Sequence, residues 1–178
     1  MWKGCETIAI DARGAAGGLG ILWNPRVVTL SGFFTTICSI STDFHILGTR
    51  IRGIITNVYG PPKVDQKEIF IDSLSDLKTI VLNRAWIIGG DFNLIRNLGE
   101  KKGGICSLNP ASTLFNNTIS DLDLIDVRTS NGLFTWNNKQ SGDKGIAYRL
   151  EKFLLSESVM MAGGTLRAVV LPVAGSDH

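Results

Sequence analysis

Apolar and polar positions alternate through the first third of the chain. Residues 7–12 and 19–23 read as short strands, Thr-Ile-Ala-Ile-Asp-Ala and Leu-Gly-Ile-Leu-Trp, joined by Arg13-Gly14-Ala15-Ala16-Gly17-Gly18. No Gly-Lys-Ser/Thr follows these glycines, so they predict a hairpin turn rather than a phosphate-cradling loop. Residues 27–30, 34–40, 44–47 and 51–58 continue as β-rich segments, with turns at Asn24-Pro25, Ser41-Thr42-Asp43 and Gly48. Strands in succession with short turns predict an antiparallel meander. It closes at Asn57-Val58-Tyr59-Gly60-Pro61-Pro62, where alternation puts Asn57 and Tyr59 on one face and the prolines stop the strand.

The period then changes. Over 65–82, Phe70, Leu74, Leu77 and Val81 fall at i, i+4, i+7 and i+11, one apolar stripe of a helix that Asp65 and Glu68 are placed to cap. A second helix opens at Asn109-Pro110, cap then first-turn proline, with Phe115, Ile119 and Leu122 inward. Between them Trp86-Ile87-Ile88-Gly89-Gly90-Asp91-Phe92-Asn93 reads as a buried strand ending in two glycines. In extended geometry Asp91 and Asn93 point the same way. A carboxylate beside an amide offers a base or metal ligand next to a neutral phosphate donor; the same Asp-x-Asn also suits a plain Asx turn.

The later segments leave alternatives open. Residues 96–104 form a polar loop whose Lys101-Lys102 pair either meets phosphates or is simply solvated. Asp121, Asp123 and Asp126 match no calcium-loop spacing and read as a charged helix end. Phe134-Thr135-Trp136 is a short aromatic strand, with Trp136 either buried or placed to stack on a base. Over 148–156 the apolar spacing suits a helix as well as a strand, and alternation returns at 166–171.

Composition narrows the class. At 178 residues, a single domain spanning 1–178 is expected, and 18 basic against 16 acidic residues (net +2) permit a basic stripe for a polyanion without demanding one. Cys5, Cys38 and Cys106 are odd in number and far apart, which fits reduced intracellular thiols rather than disulfides or zinc. No apolar stretch approaches the ~20 residues of a membrane span and no signal peptide opens the chain, so an intracellular place, nuclear or cytoplasmic, is expected.

Four motifs stand in one order: Asn57-Val58-Tyr59, Gly90-Asp91-Phe92-Asn93, Arg149-Leu150-Glu151 and Ser176-Asp177-His178. Together they resemble the DNase-I-like endonuclease/exonuclease/phosphatase family. The Gly17-Gly18-Leu19 to Trp23 opening, Tyr59-Gly60-Pro61-Pro62 and Glu100-Lys101-Lys102-Gly103-Gly104 resemble its plant branch, related to non-LTR retrotransposon endonucleases. The resemblance implies an α+β fold, a four-layer α/β/β/α sandwich of two mainly antiparallel sheets, and it makes 148–156 a strand. It also implies Mg²⁺-dependent hydrolysis of phosphodiesters or phosphomonoesters, with DNA as substrate and a reverse transcriptase domain as companion in a parent polyprotein.

By analogy, Asp91 would orient or deprotonate the attacking water and Asn93 would hold the phosphate. His178 would donate to a phosphoryl oxygen, steered by Glu151, and Asp177 would help bind metal. Tyr59 and Asn57 would line the scissile phosphate, with Lys101, Lys102 and Trp136 as further substrate contacts. Such a site must neutralise charge building on the phosphoryl oxygens, which a metal, an imidazolium and an amide donor do while a carboxylate aims the water.

The chain departs from the family pattern in two ways. Members carry an Asn and a metal-binding Glu on strands ahead of the Gly-Gly-Leu segment, for which only Cys5-Glu6-Thr7 is on offer here. The Asp of the family's Arg-Leu-Asp is Glu151, and a misplacement of about one ångström can cost ~10²-fold in rate. The strand that would anchor Asp177 and His178 is likewise expected to be missing. The expectation is therefore a sandwich incomplete at both ends, lacking the N-terminal metal-binding strands and the C-terminal strand. Mg²⁺ would bind weakly or not at all, and DNA cleavage would be weak or lost. The alternatives are a catalytically inactive nucleic-acid-binding remnant, or a phosphatase or lipid phosphodiesterase on the same fold.

Overall fold

Alternation in the first third does build antiparallel strands. The computed structural model describes residues 4–10, 18–162 and 167–170. In it β1 (Glu6–Ile10) pairs antiparallel with β2 (Leu19–Trp23), as expected, while the turn expected at 13–18 lies, but for Gly18, outside the described residues. β3 (Val28–Thr35), β4 (Ser39–Ile46) and β5 (Arg52–Tyr59) form the meander. The chain then runs through α1 (Lys67–Val81), β6 (Ala85–Asp91), β7 (Lys101–Lys102) and α2 (Pro110–Asp121). It continues as β8 (Leu124–Val127), β9 (Trp136–Asn137), β10 (Ala147–Tyr148), β11 (Glu151–Ser156) and α3 (Glu157–Met161).

Six strands make the main sheet, in the order β3-β4-β5-β6-β11-β8, with β5 and β6 its parallel pair. On one face α1 and α2 bury Ile54, Val58, Trp86, Ile88 and Leu154. The four stripe residues of α1 are each at 2% exposure or less. The Trp86 indole donates to Thr56 Oγ1 at 2.9 Å, so the largest core side chain is polar-satisfied as well as buried. Against the other face, β2 lies on β4 and β5, and Asn57 Nδ2 donates to Gly20 O at 2.7 Å. Two sheets thus face each other with helices outside the larger, the α+β fold expected. Among the described residues the smaller sheet is the β1–β2 hairpin. It leaves Phe153 of β11 45% and Ile125 of β8 42% exposed.

Three local expectations shift. The turn expected at Ser41-Thr42-Asp43 lies inside β4, and the chain reverses at 36–38 instead. Hydroxyls that usually mark turns are satisfied across strands here: Ser41 Oγ is 2.9 Å from Thr56 Oγ1, and Thr42 Oγ1 donates to Gly32 O at 2.6 Å. Asp65 sits in a 3₁₀ turn ahead of α1 and does not cap it; Gln66 is the cap residue and forms no side-chain cap bond. Asp126 belongs to β8 rather than to a charged helix end. The Asn109 cap does form, accepting from Ser112 N at 2.7 Å. Of 166–171, the described residues 167–170 give a single parallel bridge, Thr129 to Ala168. No helix among the described residues is long and apolar enough to cross a membrane.

Candidate functional site

The parallel pairing of β5 and β6 decides where the candidate residues meet. Parallel neighbours end on the same rim of a sheet, so Tyr59 and Asp91, the last residues of β5 and β6, are register partners. β11 runs antiparallel to β6 and starts at that rim, which sets Glu151 opposite Asp91 on its other side. Tyr59, Asp91 and Glu151 therefore form one row, all half-buried, with Asn57 two positions back on β5. The strands approach this closely because position 90 has no side chain. Gly90 has φ +138°, and a Cβ there would lie 2.1 Å from Val58 O and 2.7 Å from Asn57 Oδ1. Gly90→Ala is expected to destabilise the fold by about 2–4 kcal/mol, read from the urea midpoint. Gly20→Ala, whose nearest new neighbour is 3.7 Å away, is the control and should stay within about 0.5 kcal/mol.

Asp91 and Asn93 come together through a turn rather than by strand alternation. The chain leaves β6 at Asp91, and Asn93 takes φ +50°, a left-handed conformation that asparagine tolerates better than most residues. Asn93 N donates to Asp91 Oδ1 at 2.7 Å and Asn93 Nδ2 to Asp91 Oδ2 at 3.0 Å. The Asx turn and the carboxylate–amide pair are thus the same object. Nδ2 also donates to Gly60 O at 2.8 Å, so a phosphate reaching that nitrogen would have to displace one of these partners. Between the two side chains Phe92 is fully buried, with its ring 6.2 Å from Phe70 and 5.3 Å from Phe115. The helices thereby fix the turn's height above the sheet.

Beside Asn93 opens a cavity of about 450 Å³. Lys67, Lys101, Asn93, Asn109, Ser107 and Ser112 supply its polar lining, and Leu94, Ile95, Leu150, Trp136 and Tyr148 the rest. Among the described residues that line it there is no carboxylate. One wall is a small sheet, β7-β10-β9, whose register sets Tyr148 between Lys101 and Trp136. The Trp136 and Tyr148 rings stack at 5.6 Å and 24°, and the Lys101 ammonium lies 5.5 Å from the centre of the Tyr148 ring. Lys102, paired with Ala147, is exposed on this sheet and does not line the cavity.

A buried ionic cluster adjoins the cavity wall through Leu94, whose carbonyl Lys152 bonds. Arg149 donates to Glu100 Oε1 at 2.7 Å and to both oxygens of Asp126, with Nη1 2.8 Å from Oδ2. Lys152 Nζ is 3.2 Å from Glu100 Oε2 and donates to Leu94 O at 2.8 Å. Arg149, Lys152 and Glu100 are all at 5% exposure or less. Burial alone would raise the Asp126 pKa; the hydrogen bonds and charge of Arg149, with the charges of Lys152 and Arg96, outweigh it and hold the carboxyl below its usual range. Burial draws the Lys152 pKa down against the pull of Glu100. Glu100, expected in a solvated loop, is instead a buried anchor of the segment that carries Lys101.

Of the residues singled out from sequence, Tyr59, Asn57, Asp91, Asn93 and Glu151 gather at the rim, and Lys101 and Trp136 line the adjoining cavity. Asp177 and His178 lie outside the described residues. Octahedral Mg²⁺ takes oxygen ligands, and Asp91 and Glu151 are neighbouring carboxylates, but no group of three acidic, His or Cys side chains able to hold a metal forms among the described residues. Glu6 is on β1, opposite Trp23. Lys67 and Tyr148 had no sequence signal of their own: one reads as an ordinary first-turn lysine, the other as a strand aromatic.

No protein-family model and no curated protein matches the chain. Solved structures do. The endonuclease domain of TRAS1, a telomere-specific non-LTR retrotransposon, superposes with TM-score 0.67 at 14% identity, over 90% of this chain and 70% of that one. Mannosyl-6-phosphatase Bt3783 of Bacteroides thetaiotaomicron gives 0.55 at 14% identity, over 88% and 64%. TDP2 of D. rerio, complexed with single-strand DNA product, gives 0.55 at 12% identity, over 87% and 64%. At these identities the likeness establishes the fold, that of the endonuclease/exonuclease/phosphatase proteins. The chain spans about two-thirds of the length of these structures.

Proposed function

We propose that this chain acts on nucleic acid as a phosphodiesterase, with an unpaired nucleotide of a DNA strand seated in the cavity beside Asp91. The observation that carries this reading is the pairing of two features at Asn93. On one side is a carboxylate held by two N–H donors, and on the other a nucleotide-sized cavity with two ammoniums, a stacked aromatic pair and no carboxylate among its described lining residues. A nucleotide is an anion bearing a flat ring, and both halves find matching chemistry here. Asp91 would aim the attacking water, Glu151 would steer His178 toward a phosphoryl oxygen, and Tyr59 and Asn57 would line the phosphate. Magnesium dependence and the place of Asp177 as a ligand belong to the same proposal. The likeness to a retrotransposon endonuclease and to a protein holding single-strand DNA product supports nucleic acid, and the equal likeness to a mannosyl-6-phosphatase keeps a sugar phosphate as the alternative to be tested.

The test is binding of a labelled single-stranded oligonucleotide in EDTA, followed by anisotropy. Trp136→Ala is expected to weaken it about tenfold or more, the range for losing one base–aromatic stack. Affinity should fall steeply with added salt. Unchanged affinity in the folded variant would remove the cavity from the nucleic-acid site. Turnover of a sugar or inositol phosphate without DNA binding would favour the phosphatase alternative.

A further inference from the structure

We infer that Lys67 is a positioning residue for the Asp91–Asn93 pair, its buried ammonium fixing the turn from which both side chains are presented. The inference rests on the proposed role of Asp91. Lys67 is the first residue of α1, and its Nζ donates to Asn93 O at 2.9 Å. That carbonyl belongs to the residue at φ +50°, the one whose backbone N–H and amide both grip Asp91. The next carbonyl, Leu94 O, is held by Lys152 Nζ at 2.8 Å. Consecutive carbonyls of one turn are thus taken by buried ammoniums from a helix and from a strand.

Satisfying a carbonyl needs only a neutral donor, and burying a charge for that purpose is costly. The charge of Lys67 has a second partner. Burial draws its pKa down, and the negative charge of Asp91 pushes it back up. Around Asp91 the register also sets Tyr59 of β5 and Glu151 of β11. Lys67 is therefore the cation from α1 that feels the Asp91 charge, and it bonds the backbone that aims that carboxylate.

The test uses the ¹⁵N-labelled full chain. Lys67→Met keeps the apolar stem and removes charge and donors. Its Asn93 side-chain amide signals are expected to shift or broaden, and the Asn93 backbone N–H should exchange at least about tenfold faster. The Trp86 indole signal should stay in place, and Lys67→Arg should restore the Asn93 signals. Should the Met variant fail to fold, Lys67→Gln keeps a neutral donor and is expected to show the same loss in milder form. Wild-type Asn93 signals and exchange in a folded Met or Gln variant would overturn the inference. These readouts need no catalysis, so a failure of the phosphodiesterase reading shows separately, as a wild-type chain that leaves DNA intact.

Discussion

Arg149→Ala is expected to destabilise the fold by about 3–5 kcal/mol, the cost of breaking a buried ion pair from one side. The guanidinium is the hub that neutralises Glu100 and Asp126, and without it both carboxylates stay inside with their main partner gone. Co-substituting Glu100→Gln and Asp126→Asn should recover part of the loss, because neutral amides tolerate burial better than unpaired charges. The effect on pH dependence has a definite sign. The Asp126 pKa is depressed in the fold, so the stability it contributes is complete above the unfolded value of about 3.9 and is lost as pH falls through the folded value. The wild-type urea midpoint should therefore drop in acid below about pH 4, and Arg149→Ala should flatten that drop. Lys152 acts at the other end. Its lowered pKa means the folded chain holds its proton less tightly, so its penalty eases as pH rises toward the unfolded value of about 10.4.

Asp91→Asn is expected to reduce DNA cleavage by about 10²–10⁴-fold, the range for losing a positioned general base. The amide keeps the shape of the carboxylate, and its oxygen can still accept from Asn93 N. One oxygen acceptor for Asn93 Nδ2 is lost together with the negative charge that Lys67 feels, so the stability change should be in the range of a hydrogen bond to a charged group, about 1.5–3 kcal/mol. A large loss of rate with a modest loss of stability separates a chemical role from a structural one.

Local pattern made α1, the Asn109 cap and the β1–β2 hairpin legible, because each is decided within a few neighbouring residues. The rim was legible for a different reason: Tyr59, Asp91 and Glu151 each sit in a short motif whose order along the chain resembles a known family. What stayed hidden depends on long-range partners. Glu100 reads as solvated among lysines and glycines, yet its partner Arg149 is 49 residues on. Asp126 looks like helix-end charge until β8 is paired with β11. Ser41 and Thr42 read as a turn because their cross-strand acceptors appear only once the meander is registered. Lys67 could not be singled out, since its distinction is an acceptor 26 residues away on a turn the pattern made extended.

The claim that the rim carries phosphodiester chemistry is tested most directly by incubating supercoiled plasmid with wild type and Asp91→Asn in millimolar Mg²⁺, at matched folded concentration. Slow conversion to open circles by the wild type, absent with Asp91→Asn, is the expected result. Equal nicking by both chains, or plasmid left intact by the wild type, would contradict it.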